Sequence, residues 1–138
     1  MRIAKIALVA VVALAAAVGG GWFWGASGRW ACEARLDQAG IRAEWLDARG
    51  ALLAARVDLF ELNFGRAGAS AERAGKALDA LAGRLDEKGE SADAAAVREA
   101  AAIAADARHM AGGLDQAANA RLGEALAALD RVRSAAGK

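Results

Sequence analysis

The sequence predicts an all-α protein in which an apolar N-terminal helix is followed by a helical bundle. The chain has 138 residues, none of which is proline, threonine or tyrosine, and 42 are alanine. Beyond residue 24, the chain is dominated by alanine, leucine, arginine and glutamate, which all favour helices. Alanine buries little area per residue, so the hydrophobic fraction of 57% overstates the size of the core.

The first element is an uncharged run from Ile6 to Gly28, which follows the basic residues Arg2 and Lys5. Its first 19 residues, ending at Trp24, would form a helix of about 28 Å, close to the hydrocarbon thickness of a bilayer. Aromatic residues typical of a membrane interface are Trp22, Phe23, Trp24 and Trp30. We therefore expect a single-pass transmembrane signal-anchor over residues 1–28 and an extracytoplasmic helical body over residues 29–138.

A cleavable signal peptide is the alternative interpretation of this segment. Residues 15–17 are three alanines behind a short apolar stretch, and they would serve as a cleavage site that removes residues 1–17 and releases a secreted helical protein.

The basic residues predict the orientation of an uncleaved anchor. A short basic N-terminus before a first apolar segment usually stays in the cytoplasm. The anchor would then lie in a bacterial inner membrane, with the body in the periplasm.

Four helices are predicted in the body, over residues 30–64, 71–86, 92–111 and 114–134. Gly65 is expected to cap the end of the first helix, and Ser70 and Ser91 are expected to cap the starts of the second and third. The pair Gly112-Gly113 is expected to break the third helix. One side of the last helix carries Leu122, Leu126, Leu129 and Val132. The short connections favour antiparallel neighbours, so we expect a small bundle of three to four helices with packing like that of a coiled coil.

The first helix of the body also carries a heptad repeat. Its apolar or small residues recur at spacings that alternate between four and three positions. They are Ile41, Trp45, Ala48, Leu52, Ala55, Leu59 and Leu62. One flank of the repeat carries Arg35, Arg42, Arg49 and Arg56, and the other carries Asp37, Glu44, Ala51 and Asp58. In a parallel coiled coil, Asp37 would face Arg42 of a second chain, and Glu44 would face Arg49.

The arginine flank favours contacts with another helix. No arginine in it has an acidic residue three or four positions away, where pairs within one helix form. The partner-binding residues that we predict are Arg35, Asp37, Ile41, Arg42, Glu44, Trp45, Arg49, Leu52, Arg56 and Leu59. The alternative is a solvated arginine row whose stems cover apolar neighbours.

The apolar arc of this helix is wider than a two-stranded seam requires. Leu46, Leu53 and Phe60 lie beside the heptad, and Val57 and Phe64 lie further round. We expect one part of the arc to pack on the chain's own helices and the other part to meet a partner. A bundle that buries both parts is the alternative.

Residue types that carry chemistry are sparse. There is one histidine, His109, and one cysteine, Cys32, far apart in the chain, and no cluster has the spacing of metal ligands. The net charge of +1 provides no basic field for nucleic acid. We expect no enzymatic activity, no cofactor, no metal site, no nucleic-acid partner and no small-molecule ligand.

These patterns favour a membrane-anchored helical scaffold or interaction protein of the bacterial envelope. Residues 30–64 would bind a second copy or a helical partner, because a heptad with complementary flanks follows the apolar segment. The alternative function is a periplasmic, sensor-like helical module that binds a ligand or a partner helix.

Overall fold

A computed structural model describes residues 2–136 of the chain, with side chains at positions 11 and 14 and from 32 to 132. Every regular element in this part of the chain is an α-helix. The helices are α1 (Arg2–Phe60), α2 (Phe64–Glu87), α3 (Ser91–Gly112) and α4 (Ala118–Ala136). The predicted all-α class is confirmed.

Two compact units divide the chain, over Met1–Ala39 and Gly40–Lys138. In the first unit, the side chains of Val11 and Leu14 are exposed. The described residues contain no helix with a stretch long and apolar enough to cross a membrane. The described side chains do not include those predicted for the membrane interface, which are Trp22, Phe23, Trp24 and Trp30. The anchor over residues 1–28 therefore stays a prediction.

The second unit is a four-helix bundle, which confirms the predicted architecture. In α1, residues 40–60 run antiparallel to both α2 and α4, since residues early in this stretch contact residues late in the other two helices. The contacts are Glu44 with Arg84 and Asp58 with Ser70 on α2, and Trp45 with Leu129 and Arg56 with Asn119 on α4. The helix α3 packs between α2 and α4 and closes the bundle.

The core of the bundle is built mainly from alanine. Alanines with no exposed surface occur on all four helices, at positions 48, 55, 74, 94, 100, 104, 118 and 125. The largest fully buried side chains are Leu52, Leu78, Leu81, Leu122, Leu129 and Val97. Because alanine contributes little apolar area, these few larger side chains supply a large share of the hydrophobic stabilisation.

The turn between α1 and α2 differs from its prediction. The helix α1 ends at Phe60, and α2 begins at Phe64, so that Gly65 lies inside α2 and does not cap α1. Asn63 is the N-cap of α2, and its side-chain oxygen accepts a hydrogen bond from the backbone N–H of Arg66 at 3.2 Å. Asparagine is a favoured capping residue, which explains why the helix begins before the predicted cap, Ser70.

Two further helix boundaries differ from their predictions. The helix α3 starts at Ser91 with Glu90 as its N-cap, and no side chain caps it. The predicted break at Gly112-Gly113 is confirmed, because α3 ends at Gly112. The last helix begins at Ala118 and not at Leu114, since Leu114 has a positive φ of 60° that a right-handed helix does not accept.

Candidate functional site

Six of the seven residues of the predicted heptad, all except Leu62, lie on the side of α1 that packs against the bundle. Trp45 and Leu59 are nearly fully buried, and Leu52 is fully buried. Trp45 also donates a hydrogen bond from its indole Nε1 to the carbonyl oxygen of Leu129 on α4, at 3.4 Å. Ile41 is partly buried against the same core. In this fold, a second chain does not reach the buried Trp45, Leu52 and Leu59 without opening the bundle.

Several charged groups on the flanks of the heptad also contact the chain's own helices. Glu44 accepts a hydrogen bond from Arg84 of α2 at 2.5 Å, Arg49 lies 3.4 Å from Asp130 of α4, and Arg56 donates to Asn119 of α4 at 2.9 Å. The Arg49 guanidinium also lies over the Trp45 ring, 5.7 Å from its centroid. The groups that accept from Arg49 and Arg56 are on α4, which explains why neither arginine needs an acidic residue three or four positions away on α1.

Three of the predicted partner-binding residues remain on the surface. Arg35, Asp37 and Arg42 are exposed. In the part of the chain that the structure describes, they form no ion pair. The last heptad position, Leu62, lies beyond the end of α1 in the turn, where it is 61% exposed and has a φ of 59°. The predicted set is therefore divided between the core, its charged edge and the surface.

A second apolar surface lies on α1, facing away from the core. We call it the outer face, and it consists of Ala43, Leu46, Gly50, Leu53, Val57 and Phe60. All six residues are exposed, and the exposure of the four large ones is 54% at Leu46, 37% at Leu53, 56% at Val57 and 85% at Phe60. Its members are spaced by three, four, three, four and three residues, which is itself a heptad pattern. The sequence analysis placed the four large residues on the wide apolar arc of this helix, and this spacing is the signal that would have separated them from the first heptad as a face of their own.

A buried polar cluster joins α1 to α2. Asp58 is 3% exposed, and its carboxylate accepts a hydrogen bond from the Ser70 hydroxyl at 3.0 Å and lies 3.2 Å from the Arg66 guanidinium. Arg73 donates to the Ser70 oxygen at 3.1 Å. Burying a carboxylate requires such partners. The cluster therefore explains both the buried position of Asp58 and the place of Ser70 inside α2, where no cap is needed.

An open depression of about 870 Å³ lies at the C-terminal end of α3. Its polar lining comes from Arg108, His109 and Asp115. Arg108 pairs with Glu72 of α2 at 3.1 Å, and Asp115 accepts a hydrogen bond from the backbone N–H of Ala117 at 2.8 Å. Within the described residues, no group of three or more His, Cys, Asp or Glu side chains is placed to hold a metal ion.

Two exposed ionic clusters tie α3 to its neighbours. The hydrogen bond from Lys76, together with the positive charges of Arg108 and Lys76, lowers the pKa of Glu72 below its usual value of 4.5. Hydrogen bonds to Asp106 and Glu124 raise the pKa of Arg121. Exposed pairs of this kind contribute little stability each. We therefore infer that their main role is to align the helices.

No protein-family model, no curated protein and no solved structure matches this chain.

Proposed function

We propose that this protein is a membrane-anchored, non-catalytic scaffold of the bacterial envelope that binds a second copy or a helical partner through α1. The observation that carries this proposal is the outer face. Large apolar side chains scattered singly over a surface are ordinary, whereas a contiguous apolar stripe marks a site of interaction. Here four large side chains and two small residues share one side of α1, at the spacing that helix pairs use.

The surroundings of the outer face support a helix as the partner. The stripe follows a single helix for about 25 Å, from Ala43 to Phe60, and its two smallest members, Ala43 and Gly50, give room for a close approach. A Cβ added at Gly50 would meet nothing within 4 Å. An amphipathic helix laid along such a surface buries its own apolar side at i, i+3, i+4 and i+7 positions.

The membrane part of the proposal is supported by the sequence. The uncharged run of residues 6–28, the basic residues before it and the tryptophans near its C-terminal end have the order found in a signal-anchor. Such an anchor would confine the bundle to two dimensions and raise its effective concentration, which favours weak association between helices.

Fractionation and mass spectrometry test the anchor. After alkaline extraction of membranes, we expect the full-length mass in the membrane pellet. A soluble chain whose mass begins near Val18 would show that residues 1–17 are a cleaved signal peptide, and the membrane part of the proposal would be wrong.

Site-specific photo-crosslinking tests the interaction surface in membranes of producing cells. A photoreactive phenylalanine derivative at Val57 lies on the outer face, and the same derivative at Ala80 lies on an exposed part of α2. We expect adducts of defined mass, either a dimer or a complex with one other protein, from position 57 and none from position 80. Equal adducts from both positions, or none from either, would overturn the assignment of the outer face.

A further inference from the structure

The outer face has charged flanks of opposite sign. Arg42 comes directly before Ala43 on one side of the stripe, and Asp47 comes directly after Leu46 on the other side. If Ala43 is assigned to heptad position a and Leu46 to position d, then Arg42 occupies position g and Asp47 occupies position e. In a parallel coiled coil, the g residue of one chain faces the e residue five positions later on the other chain. Arg42 and Asp47 are five positions apart.

Arg42 and Asp47 are both available for such a pair. Both are exposed, and neither forms a salt bridge or a side-chain hydrogen bond in the described part of the chain. Neither has an opposite charge three or four positions away, the separation at which pairs within a helix form. The same five-residue separation recurs at Arg56 and Glu61, but Arg56 already donates to Asn119. The pair Arg42 and Asp47 is therefore the informative one.

We propose that two copies of this chain associate through their outer faces as a parallel, in-register pair of α1 helices, with Arg42 of each copy facing Asp47 of the other. This inference rests on the proposed function, and it assigns the partner of α1 to a second copy. Two-fold symmetry forms the ion pair twice. An antiparallel arrangement would bring the arginine flank of one copy against the arginine flank of the other, and like charges would oppose it.

The dimer uses a different surface from the heptad that includes Trp45, Leu52 and Leu59. At about 100° per residue, the outer face is centred roughly 150° around the helix from that heptad. Each copy therefore keeps its four-helix bundle while its α1 contacts a second copy. Arg42, Arg49 and Arg56 lie between the two surfaces. Arg49 and Arg56 contact α4 of their own bundle, whereas Arg42 faces the second copy.

Charge reversal and mixing test the pairing in the full-length chain, purified in a mild detergent and measured by sedimentation. Arg42→Glu replaces two attractive contacts by two repulsive ones, as does Asp47→Arg. We expect each variant alone to have a roughly 30-fold larger dimer dissociation constant, equivalent to about 2 kcal/mol. Mixing the two variants should restore association, because the mixed dimer contains two attractive contacts. In one, the introduced glutamate faces the introduced arginine, and in the other, the unchanged Arg42 faces the unchanged Asp47.

The mixture separates a specific pairing from damage to the fold, since two unfolded variants do not repair each other. Circular dichroism of each variant gives the helical content as a control. If the mixture associates no better than its components, the pairing of Arg42 with Asp47 is wrong. A wild-type chain that is monomeric at every concentration would overturn the assignment to a second copy.

Disulfide cross-linking tests the parallel direction. In a Cys32→Ser background, Ala43→Cys puts one thiol at the start of the outer face of each copy. The two thiols meet only if the helices are parallel and in register, because an antiparallel pair centred on the outer face would separate them by about 25 Å. We expect mild oxidation to give a covalent dimer with Ala43→Cys and not with Ala80→Cys, a matched exposed alanine on α2. Equal yields from the two variants would overturn the parallel pairing.

The results also distinguish this inference from the proposed function. Photo-adducts from Val57 to a different protein, together with no cross-linking through Ala43→Cys, would leave α1 as the interaction surface and make the second copy wrong as its partner. An absence of adducts from Val57 would instead overturn the interaction surface itself.

Discussion

A matched pair of leucine substitutions in α1 separates the core from the outer face. Leu52 has no exposed surface, whereas Leu46, less than two turns earlier on the same helix, is 54% exposed. Changing leucine to alanine removes three carbon atoms. At about 0.8 kcal/mol for each buried group, the lost transfer free energy at Leu52 is about 2.4 kcal/mol, and the cavity raises the total to about 3–4 kcal/mol.

We expect Leu46→Ala to cost less than about 1 kcal/mol in the monomer, because the side chain is half exposed and its removal leaves no closed cavity. Urea unfolding of the full-length chain, followed by far-ultraviolet circular dichroism, measures the difference. With a slope of about 2 kcal/mol per molar urea, Leu52→Ala should lower the midpoint by about 1.5–2 M and Leu46→Ala by less than about 0.5 M.

The comparison is made at a protein concentration at which the wild-type chain sediments as a monomer, so that only the fold contributes. Equal midpoints for the two variants would refute the assignment of Leu52 to the core and of Leu46 to the surface. A larger loss with Leu46→Ala would show that the two faces of α1 are exchanged.

Three further predictions concern the backbone, the buried polar cluster and the effect of pH. Gly50→Ala should raise the unfolding free energy by about 0.5–1 kcal/mol, since nothing lies within 4 Å of the added Cβ, whereas Gly89→Ala should lower it by about 1 kcal/mol because Gly89 has a φ of +78°. Ser70→Ala should cost about 1–3 kcal/mol in urea unfolding, because the buried Asp58 carboxylate loses a donor. Since the pKa of Glu72 is lowered in the fold, its ionised form stabilises the bundle above pH 4.5, and this contribution is lost as the pH falls through the folded value.

Each of these predictions has a control in the same assay. Stabilisation by both glycine substitutions would contradict the backbone geometry at Gly89. Ser91→Ala changes an exposed serine that provides no side-chain cap, so a loss as large as that of Ser70→Ala would argue against the buried cluster. Glu72→Gln should make the acid-induced fall in thermal stability smaller, and an unchanged fall would show that Glu72 does not contribute to it.

The helical architecture could be predicted from the sequence because its signals are local. The absence of proline, the alanine and leucine content and the break at Gly112-Gly113 act within one or two turns of a helix. The buried row of Leu122, Leu126, Leu129 and Val132 also follows from spacing along a single helix. These features do not depend on which helices become neighbours.

The partners of charged residues could not be predicted in this way. Asp130 and Asn119, which serve Arg49 and Arg56, lie more than sixty positions away along the chain. Ser70 has the residue type of a helix cap, and its burial beside Asp58 depends on how α1 and α2 pack. A heptad pattern also does not say which of two apolar faces on one helix meets the chain's own bundle. The packing of α2 and α4 against α1 determines which of the two faces is buried.

The alanine-lined core has a consequence for the temperature dependence of stability. The heat capacity change of unfolding is governed by the apolar surface that becomes hydrated, and ordinary proteins show about 12–15 cal/mol/K per residue. Each buried alanine exposes little such surface, and it also has no rotamers to gain on unfolding. The bundle should therefore have a smaller heat capacity change per residue and a flatter stability curve than a leucine-rich bundle of equal length, so that cooling and warming alter its folding free energy only gradually.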